Sequence, residues 1–382
     1  MGLASEAIVL PLGLMFFVSG FFINILQALS LIFLLPFSRK AYRIANVMMM
    51  EVLWSELVWL VDWWAGVKLR VYADPLEWTY IGKEHALLIC NHRSDIDWLV
   101  GWVLAERVGC LGGCRAVMKN SMKFLPVMGW SMWFSEYVFL ERSWAKDEKT
   151  LKSGFLRLKN FPRPFWLALF VEGTRFTPEK LKAAQDYAVS AGIQVPQNVL
   201  IPRTKGFVSA VFNLRSFVPA IYDVTIAISK DSPAPTMRRL LRGQSSVIHV
   251  HLKRHPMSEL PQSADEVAKW CKDAFIAKDD FLEKHKAENT FGEHLYQPLS
   301  SRSIKPLIAV IGWAFVLLVL AVILLRPLLS TRVGIAWFTS AIVLIALMLH
   351  VAILSSQSNR STPPQKMHFT ASVQGTTEKK QQ

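Results

Sequence analysis

Apolar positions are spread unevenly along the chain, and their runs divide it before any motif is considered. From Ile8 to Leu35 only Ser19, Asn24, Gln27 and Ser30 interrupt an apolar run, with Pro11 near its start. About 20 apolar residues cross a bilayer, so the run predicts one tilted membrane helix or a bent pair. No Lys or Arg precedes it and it is too long for an h-region, which argues against a cleaved signal peptide. Glu6 stands where a myristoylation signal needs Ser or Thr. Arg39, Lys40 and Arg43 follow at once, which by the positive-inside rule predicts a cytosolic flank and an amino terminus across the membrane. Ile44 to Gly66 reads as a helix carrying Trp54, Trp59, Trp63 and Trp64 beside Glu51, Glu56 and Asp62. Three acids make a full span costly, so an amphipathic helix lying in the interface is expected, with a core helix of the next domain as the alternative.

From Lys68 to about Lys286 short apolar runs alternate with helical patterns, as in α/β domains. The runs predict strands at His85–Cys90, Arg115–Met118, Glu136–Leu140, Phe165–Val171, Val199–Ile201, Val218–Ser229 and Ser246–Leu252. Helices are expected over Leu99–Val108, Ser143–Asn160, Pro178–Ala191 and Gly206–Arg215, and Ser263-Ala264-Asp265-Glu266 fits a capping box opening a last long helix. Pro306–Leu325 and Val333–Leu354 have membrane length, and the short link Arg326–Arg332 makes them a hairpin. Ser355–Gln382 is rich in Ser, Thr, Gln and Pro and is expected to be disordered. The expected organisation is therefore a membrane anchor at 1–43, an interfacial helix at 44–67, a cytosol-facing α/β domain at 68–300, a transmembrane hairpin at 301–354 and a tail at 355–382.

Composition narrows the partners. The 382 residues are 52% hydrophobic and 19% charged, which fits a folded domain tied to a bilayer. A formal charge of +14 suits nucleic acid, anionic lipid or phosphorylated small molecules. Eleven of the 14 Trp fall between Trp54 and Trp166, and indoles favour the headgroup zone, so the balance turns to membrane and away from nucleic acid. Four cysteines form no dense disulfide framework, and Cys110 and Cys114 lack a second pair of ligands, so zinc is not expected. A basic patch from Lys230 to Arg254 reads as a solvated face or as a steering surface for acidic lipid.

Chemistry concentrates in Cys90-Asn91-His92-Arg93-Ser94-Asp95-Ile96-Asp97-Trp98, which lies between an apolar strand and a helix. His92 and Asp97 are five positions apart; on one continuous helix they would diverge by about 140°, at about 100° per residue. A strand-to-helix turn instead lets an imidazole fold back onto an orienting carboxylate. The plain alternative is a capping box, Ser94 at the N-cap and Asp97 reaching back to its amide. Three further stretches bear on the choice. Lys119 to Trp130 contains Leu125-Pro126-Val127-Met128-Gly129, a rigid turn beside a site. Phe139 to Arg142 is a strand ending on a charged pair. Phe170-Val171-Glu172-Gly173-Thr174-Arg175 is a buried strand running out into a Gly turn, where Gly admits a ligand and Arg grips phosphate.

Together these residues resemble the glycerolipid acyltransferase family that includes the 1-acylglycerol-3-phosphate acyltransferases. The family's Asn-His-x4-Asp motif matches Asn91-His92 through Asp97; Phe-x-x-Arg matches Phe139 to Arg142; Glu-Gly-Thr-Arg matches Glu172 to Arg175; a Val-Pro-Ala strand matches Val218 to Ala220. The resemblance covers roughly residues 68 to 255 and is greatest to the eukaryotic, plant-type endoplasmic-reticulum branch; some relatives carry two Lys where this chain has Lys119-Asn120. It implies a mixed α/β sheet flanked by helices, with transmembrane helices at both ends. It implies acyl transfer from acyl-CoA to lysophosphatidate, with His92 as base, Asp97 as its orienting partner, and neither cofactor nor metal. Arg175 and Arg142, with Lys119, Glu172, Gly173 and Thr174, are the expected substrate-binding residues. The terminal Lys379-Lys380-Gln381-Gln382 resembles a dilysine retrieval signal, implying a multi-pass endoplasmic-reticulum protein whose tail and catalytic domain face the cytosol. Three other readings stand beside it: the same fold acting on glycerol-3-phosphate or another lysophospholipid, a lipid hydrolase using Ser94, and a non-catalytic lipid-binding protein.

Overall fold

The centre of the structure, a computed structural model describing residues 3–141, 143–299 and 301–356, is a mixed eight-stranded sheet. Its strands are β1 (Lys68–Tyr72), β2 (Ala86–Cys90), β3 (Cys114–Lys119), β4 (Val138–Leu140), β5 (Trp166–Leu169), β6 (Ala220–Ile228), β7 (Val247–Pro256) and β8 (Tyr296–Gln297). They lie in the order β4-β3-β5-β2-β6-β7-β1-β8. The first five in that order are parallel; β7 runs antiparallel to β6 and parallel to β1, and β8 closes the edge antiparallel to β1.

The helices, among the described residues, are α1 (Leu3–Phe33), α2 (Arg39–Trp59), α3 (Pro75–Trp78), α4 (Asp97–Arg107), α5 (Met128–Phe134) and α6 (Trp144–Arg157) before β5. After it come α7 (Pro178–Ala191), α8 (Thr204–Leu214), α9 (Met237–Leu241), α10 (Ala264–Glu288), α11 (Lys305–Leu328) and α12 (Arg332–Ser356). Strands β2 and β5 read as unbroken apolar runs because both faces of the sheet are covered. On one face Leu87, Ile89 and Leu167 pack with Phe155, Phe207 and Phe275. On the other, Ala86 and Cys90 pack with Trp54, Leu99 and Trp102.

Three strands differ from expectation, among them the short edge strand β8, which was not expected. Val199–Ile201 joins no ladder, because the amides of Gln197, Asn198 and Val199 all donate to the Asp279 carboxylate of α10. Conversely β1 was not expected, since Lys68 and Arg70 break its apolar run on the exposed side.

The helix expected from Ile44 begins at Arg39, where Ser38 Oγ caps it by accepting from Ala41 N–H (3.2 Å), and a π-helical turn carries it to Trp64. Its inner face, Met50, Leu53, Trp54 and Val58, belongs to the core instead of lying free along an interface. Its three acids are tolerated because each has a partner: Ser19 Oγ donates to Glu56 (2.7 Å), Arg107 clasps Asp62, and Lys305 Nζ lies 3.6 Å from Glu51. Leu10–Phe33, Arg39–Trp64 and Lys305–Ile323 are long and apolar enough to cross a membrane. Arg39 and Arg43, the basic flank of α1, converge on Glu136 at 2.8 and 2.7 Å, so that flank lies on the same side as the sheet domain. Residues 357–382 of the expected tail, with Lys379 and Lys380, lie outside the described residues.

Candidate active site

Parallel pairing brings distant motifs side by side. β2 pairs with β5 from Ala86↔Trp166 to Ile89↔Leu169, and β3 pairs with β5 on its other side. The carboxyl ends of β3, β5 and β2 therefore deliver Lys119, the 172–175 turn and His92 to one edge of the sheet, where α/β proteins bind ligands. Asn91 fixes the point at which the chain leaves β2. Its Nδ2 donates to Ile226 O (2.9 Å) and its Oδ1 accepts from Ile226 N–H (2.8 Å), so the amide extends the pairing to β6 for one more residue. His92 then turns out of the sheet, and its carbonyl accepts from Phe176 N–H (2.8 Å) across the 172–176 turn.

His92 Nδ1 lies 2.9 Å from Asp97 Oδ2. The same carboxylate accepts from Ser94 N–H (2.8 Å) and Ser94 O–H (2.7 Å). Asp97, the first residue of α4, reaches back to the Ser94 amide as in a capping box, although the N-cap of the helix is Ile96 and not Ser94, and the same carboxylate lies against the imidazole. With the Nδ1 proton held by a carboxylate, the Nε2 lone pair is left for another group. Ser94 is committed to this turn, its hydroxyl donating to Asp97 and its oxygen accepting from Ile96 N–H (3.3 Å), which disfavours it as a nucleophile. The imidazole is partly exposed while Asp97 is buried, and Phe170 packs against the ring at 4.5 Å between centroids.

His92, Asp95, Asp97, Lys119, Gly173, Thr174 and Arg175 line one cavity of about 1700 Å³. Its volume exceeds the roughly 300–1,000 Å³ of ordinary small-molecule pockets. Away from His92 the walls are apolar: Leu12, Phe16 and Phe17 of α1, Leu57 of α2 and Leu60 just after it, Trp98 and Trp102 of α4, and Met122, Leu125 and Met132 around α5. Thr174 Oγ1 accepts from buried Lys180 Nζ (2.6 Å), which stiffens the turn beneath Arg175. Gly173 has φ +69°, a backbone shape that glycine adopts without strain. Lys119 is exposed at the end of β3.

Glu172 is placed differently from its neighbours. It is 3% exposed and faces inward, away from the cavity wall. Its Oε1 accepts from His92 N–H (3.3 Å). Burial pushes its carboxyl up to about 8, against the opposing effects of the His92 amide and the Lys278 ammonium. Arg142 lies outside the described residues; beside it, the amides of Glu141 and Ser143 donate to Asp147 at 2.8 and 2.9 Å. Val218-Pro219-Ala220 leads into β6, the strand that Asn91 grips. Cys110 and Cys114 are buried thiols, both raised by that burial, and no group of three or more metal-ligating side chains occurs among the described residues. Sequence reasoning passed over Arg203, which lines the cavity beside Gly173; its only signal was a lone Arg following Pro202 in a segment read as strand and helix.

Residues 71–229 match the acyltransferase family and residues 239–313 match the acyltransferase C-terminus family. The chain is 59% identical over 365 residues to 1-acyl-sn-glycerol-3-phosphate acyltransferase 2 of Brassica oleracea, covering 95% of this chain and 93% of that one. It is 59% identical over 361 residues to the Arabidopsis thaliana protein of the same name (94% and 92% covered). To the human gamma form it is 35% identical over 326 residues (85% and 84% covered). Among solved structures, the 1-acyl-sn-glycerophosphate acyltransferase PlsC of Thermotoga maritima aligns with a TM-score of 0.42 at 17% identity, covering 73% of this chain and 97% of that one. The chain is therefore an acyltransferase, a helix-flanked mixed sheet joined to helices long and apolar enough to cross a membrane. It belongs to the 1-acyl-sn-glycerol-3-phosphate acyltransferase family.

Proposed function

We propose that the protein transfers an acyl group from acyl-CoA to the sn-2 hydroxyl of 1-acyl-sn-glycerol-3-phosphate, releasing phosphatidate and CoA. The observation that carries the reading is the 2.9 Å contact between His92 Nδ1 and buried Asp97, at the mouth of an apolar cavity shared with Arg175. An alcohol is a poor nucleophile until its proton is removed as it attacks. His92 Nε2 takes that proton while the alcohol oxygen bonds to the thioester carbonyl carbon. Asp97 holds the tautomer and stabilises the imidazolium, as the Asp of a serine-hydrolase triad does, although here the substrate supplies the hydroxyl. The C–S bond then breaks, and the imidazolium returns its proton to the departing thiolate. No acyl-enzyme forms. Arg175, with Lys119 and Arg142, binds the phosphate of lysophosphatidate, a group that matches the guanidinium fork.

The setting in this reading is the endoplasmic-reticulum membrane, with the sheet domain on the cytosolic side, where acyl-CoA is soluble. The candidate spans, the Arg39/Arg43 flank beside the domain and Lys379-Lys380 support it. The test is an assay of the purified full-length enzyme with lysophosphatidate, glycerol-3-phosphate and lysophosphatidylcholine as acceptors. Lysophosphatidate should be preferred, with CoA released in step with phosphatidate, and His92→Gln should lower turnover by at least about 10². Preference for an acceptor without a phosphomonoester, or a His92→Gln enzyme of undiminished rate, would overturn the proposal.

A further inference from the structure

One more side chain crosses the turn that carries Gly173 and Arg175. Arg203 N–H donates to Val171 O (2.7 Å), which ties the start of α8 to the carboxyl end of β5. Its side chain lies against Gly173 so closely that a Cβ built at position 173 would come within 3.0 Å of Arg203 Cδ and 3.2 Å of Nε. Gly173 therefore meets two demands, a left-handed backbone and a bare surface for the arginine to cross. The guanidinium opens on the cavity that holds His92 and Arg175, and the residue is exposed there.

Several other arginines are occupied elsewhere. Arg43, Arg107 and Arg254 clasp Glu136, Asp62 and Glu84, while Arg115 and Arg215 donate to backbone carbonyls. The Arg203 guanidinium has no such acceptor among the described residues. The carboxyl adjacent to Gly173 in sequence, Glu172, is turned inward onto the His92 amide and offers it no partner. A solvated surface arginine would need neither the glycine beneath it nor the tether at Val171.

We propose that Arg203 is an anion-binding residue of the catalytic cavity, holding a phosphate group of a bound substrate beside the Gly173 turn. The proposal rests on the acyl-transfer reading, in which both substrates bring phosphate: a monoester on the acceptor, and a pyrophosphate and a 3′-phosphate on the donor. Phosphate oxygens accept two parallel N–H···O bonds from a guanidinium, a geometry that an ammonium does not reproduce.

The experiment compares wild type, Arg203→Gln and Arg203→Lys as full-length membrane enzymes. Each is assayed with lysophosphatidate and acyl-CoA, then with monoacylglycerol as a phosphate-free acceptor and S-acyl-pantetheine as a phosphate-free donor. A lost charge-assisted pair corresponds to roughly 10- to 100-fold, so Arg203→Gln should raise KM for one phosphate-bearing substrate by that factor. Its kcat should stay within about threefold of wild type, and Arg203→Lys should recover part of the loss. A defect that disappears with S-acyl-pantetheine assigns the contact to the donor; one that disappears with monoacylglycerol assigns it to the acceptor. Unchanged KM values for both natural substrates, or an equal loss with every substrate pair, would overturn the proposal. A wild-type enzyme inactive on lysophosphatidate and acyl-CoA would instead refute the acyl-transfer reading itself, whatever Arg203 does.

Discussion

Glu172 sits between two cavity-lining residues, Val171 and Gly173, yet behaves as an interior group, its side chain buried away from the cavity. Its Oε1 receives the His92 amide, so it positions the backbone from which the imidazole projects. The carboxyl rises from 4.5 to about 8 in the folded state. Below the lower value both folded and unfolded chains hold the proton, and no penalty exists. Between the two values only the unfolded chain ionises, so stability falls as pH rises; above about 8 the penalty is complete, on the order of a few kcal/mol. Glu172→Gln keeps the acceptor oxygen and removes the titration. Thermal midpoints of purified wild type and Glu172→Gln, followed from mildly acidic to alkaline pH, should diverge, with wild type losing the more. Parallel curves would show that Glu172 is ionised in the folded protein. The inward orientation could not be read from Glu172-Gly173-Thr174-Arg175 as a string, since it depends on how the segment leaves β5. Arg203 was missed for the same reason: nothing in its own neighbourhood announces the glycine it lies on.

The elements were legible where one rule governed them. Pro178–Ala191 combines an N-terminal Pro, the Thr177 cap and Gly192 in the left-handed region, and the helix occupies those bounds. The runs His85–Cys90 and Phe165–Val171 became central parallel strands because burial on both faces demands uninterrupted apolar residues. Legibility ended where a tertiary partner replaced the local signal, as when Asp279 took the amides of Val199 and its neighbours, or when distant residues neutralised the acids of α2. The four polar interruptions of the first apolar run carry a further lesson. Ser19, Asn24, Gln27 and Ser30 are all buried and form the inner seam of α1. Asn24 Nδ2 donates to Ser131 Oγ (2.6 Å), Gln27 Nε2 to Asn46 Oδ1 (3.1 Å), and Gln27 Oε1 accepts from Ser131 Oγ (3.0 Å). Apolar contacts supply little drive for helix association within lipid, so such bonds hold α1 against α2 and α5, at about 0.6 kcal/mol each and at most about 1.7. Gln27→Leu breaks two of them and leaves the Asn46 Oδ1 acceptor and the Ser131 hydroxyl donor without these partners. It should lower the thermal midpoint in detergent by several degrees, and the deficit should shrink when Asn46→Leu is added, because the second polar group no longer lacks a partner. Additive losses in the double variant would mean that the seam is not a coupled network.

For the whole molecule, the consequence is that the catalytic cavity has no complete wall without the apolar helices. His92 and Arg175 come from the sheet edge, but Leu12, Phe16 and Phe17 come from α1, and Leu57 and Leu60 from α2 and its extension. The outward side of α1 exposes Phe21, Phe22, Ile25, Leu26 and Leu29, a surface that belongs in lipid. In the proposed reading, helices that face lipid on one side and the cavity on the other would place the reacting groups next to the bilayer, and a lipid acceptor would reach His92 without its chain crossing water. The same walls set how much chain the site accommodates. Leu57→Trp adds an indole to the apolar end, remote in sequence from every residue that handles charge, and leaves the His92–Asp97 pair untouched. Its expected effect is a shift of donor preference: kcat/KM for long-chain acyl-CoA should fall at least about tenfold while that for medium-chain acyl-CoA stays near wild type, since overpacking penalises only the substrate that fills the added volume. Competition assays with mixed donors read this ratio directly and are insensitive to the amount of active enzyme. A uniform fall for all chain lengths would mean that the wall at Leu57 supports the fold without contacting the donor chain, and that the acyl group occupies another branch of the cavity.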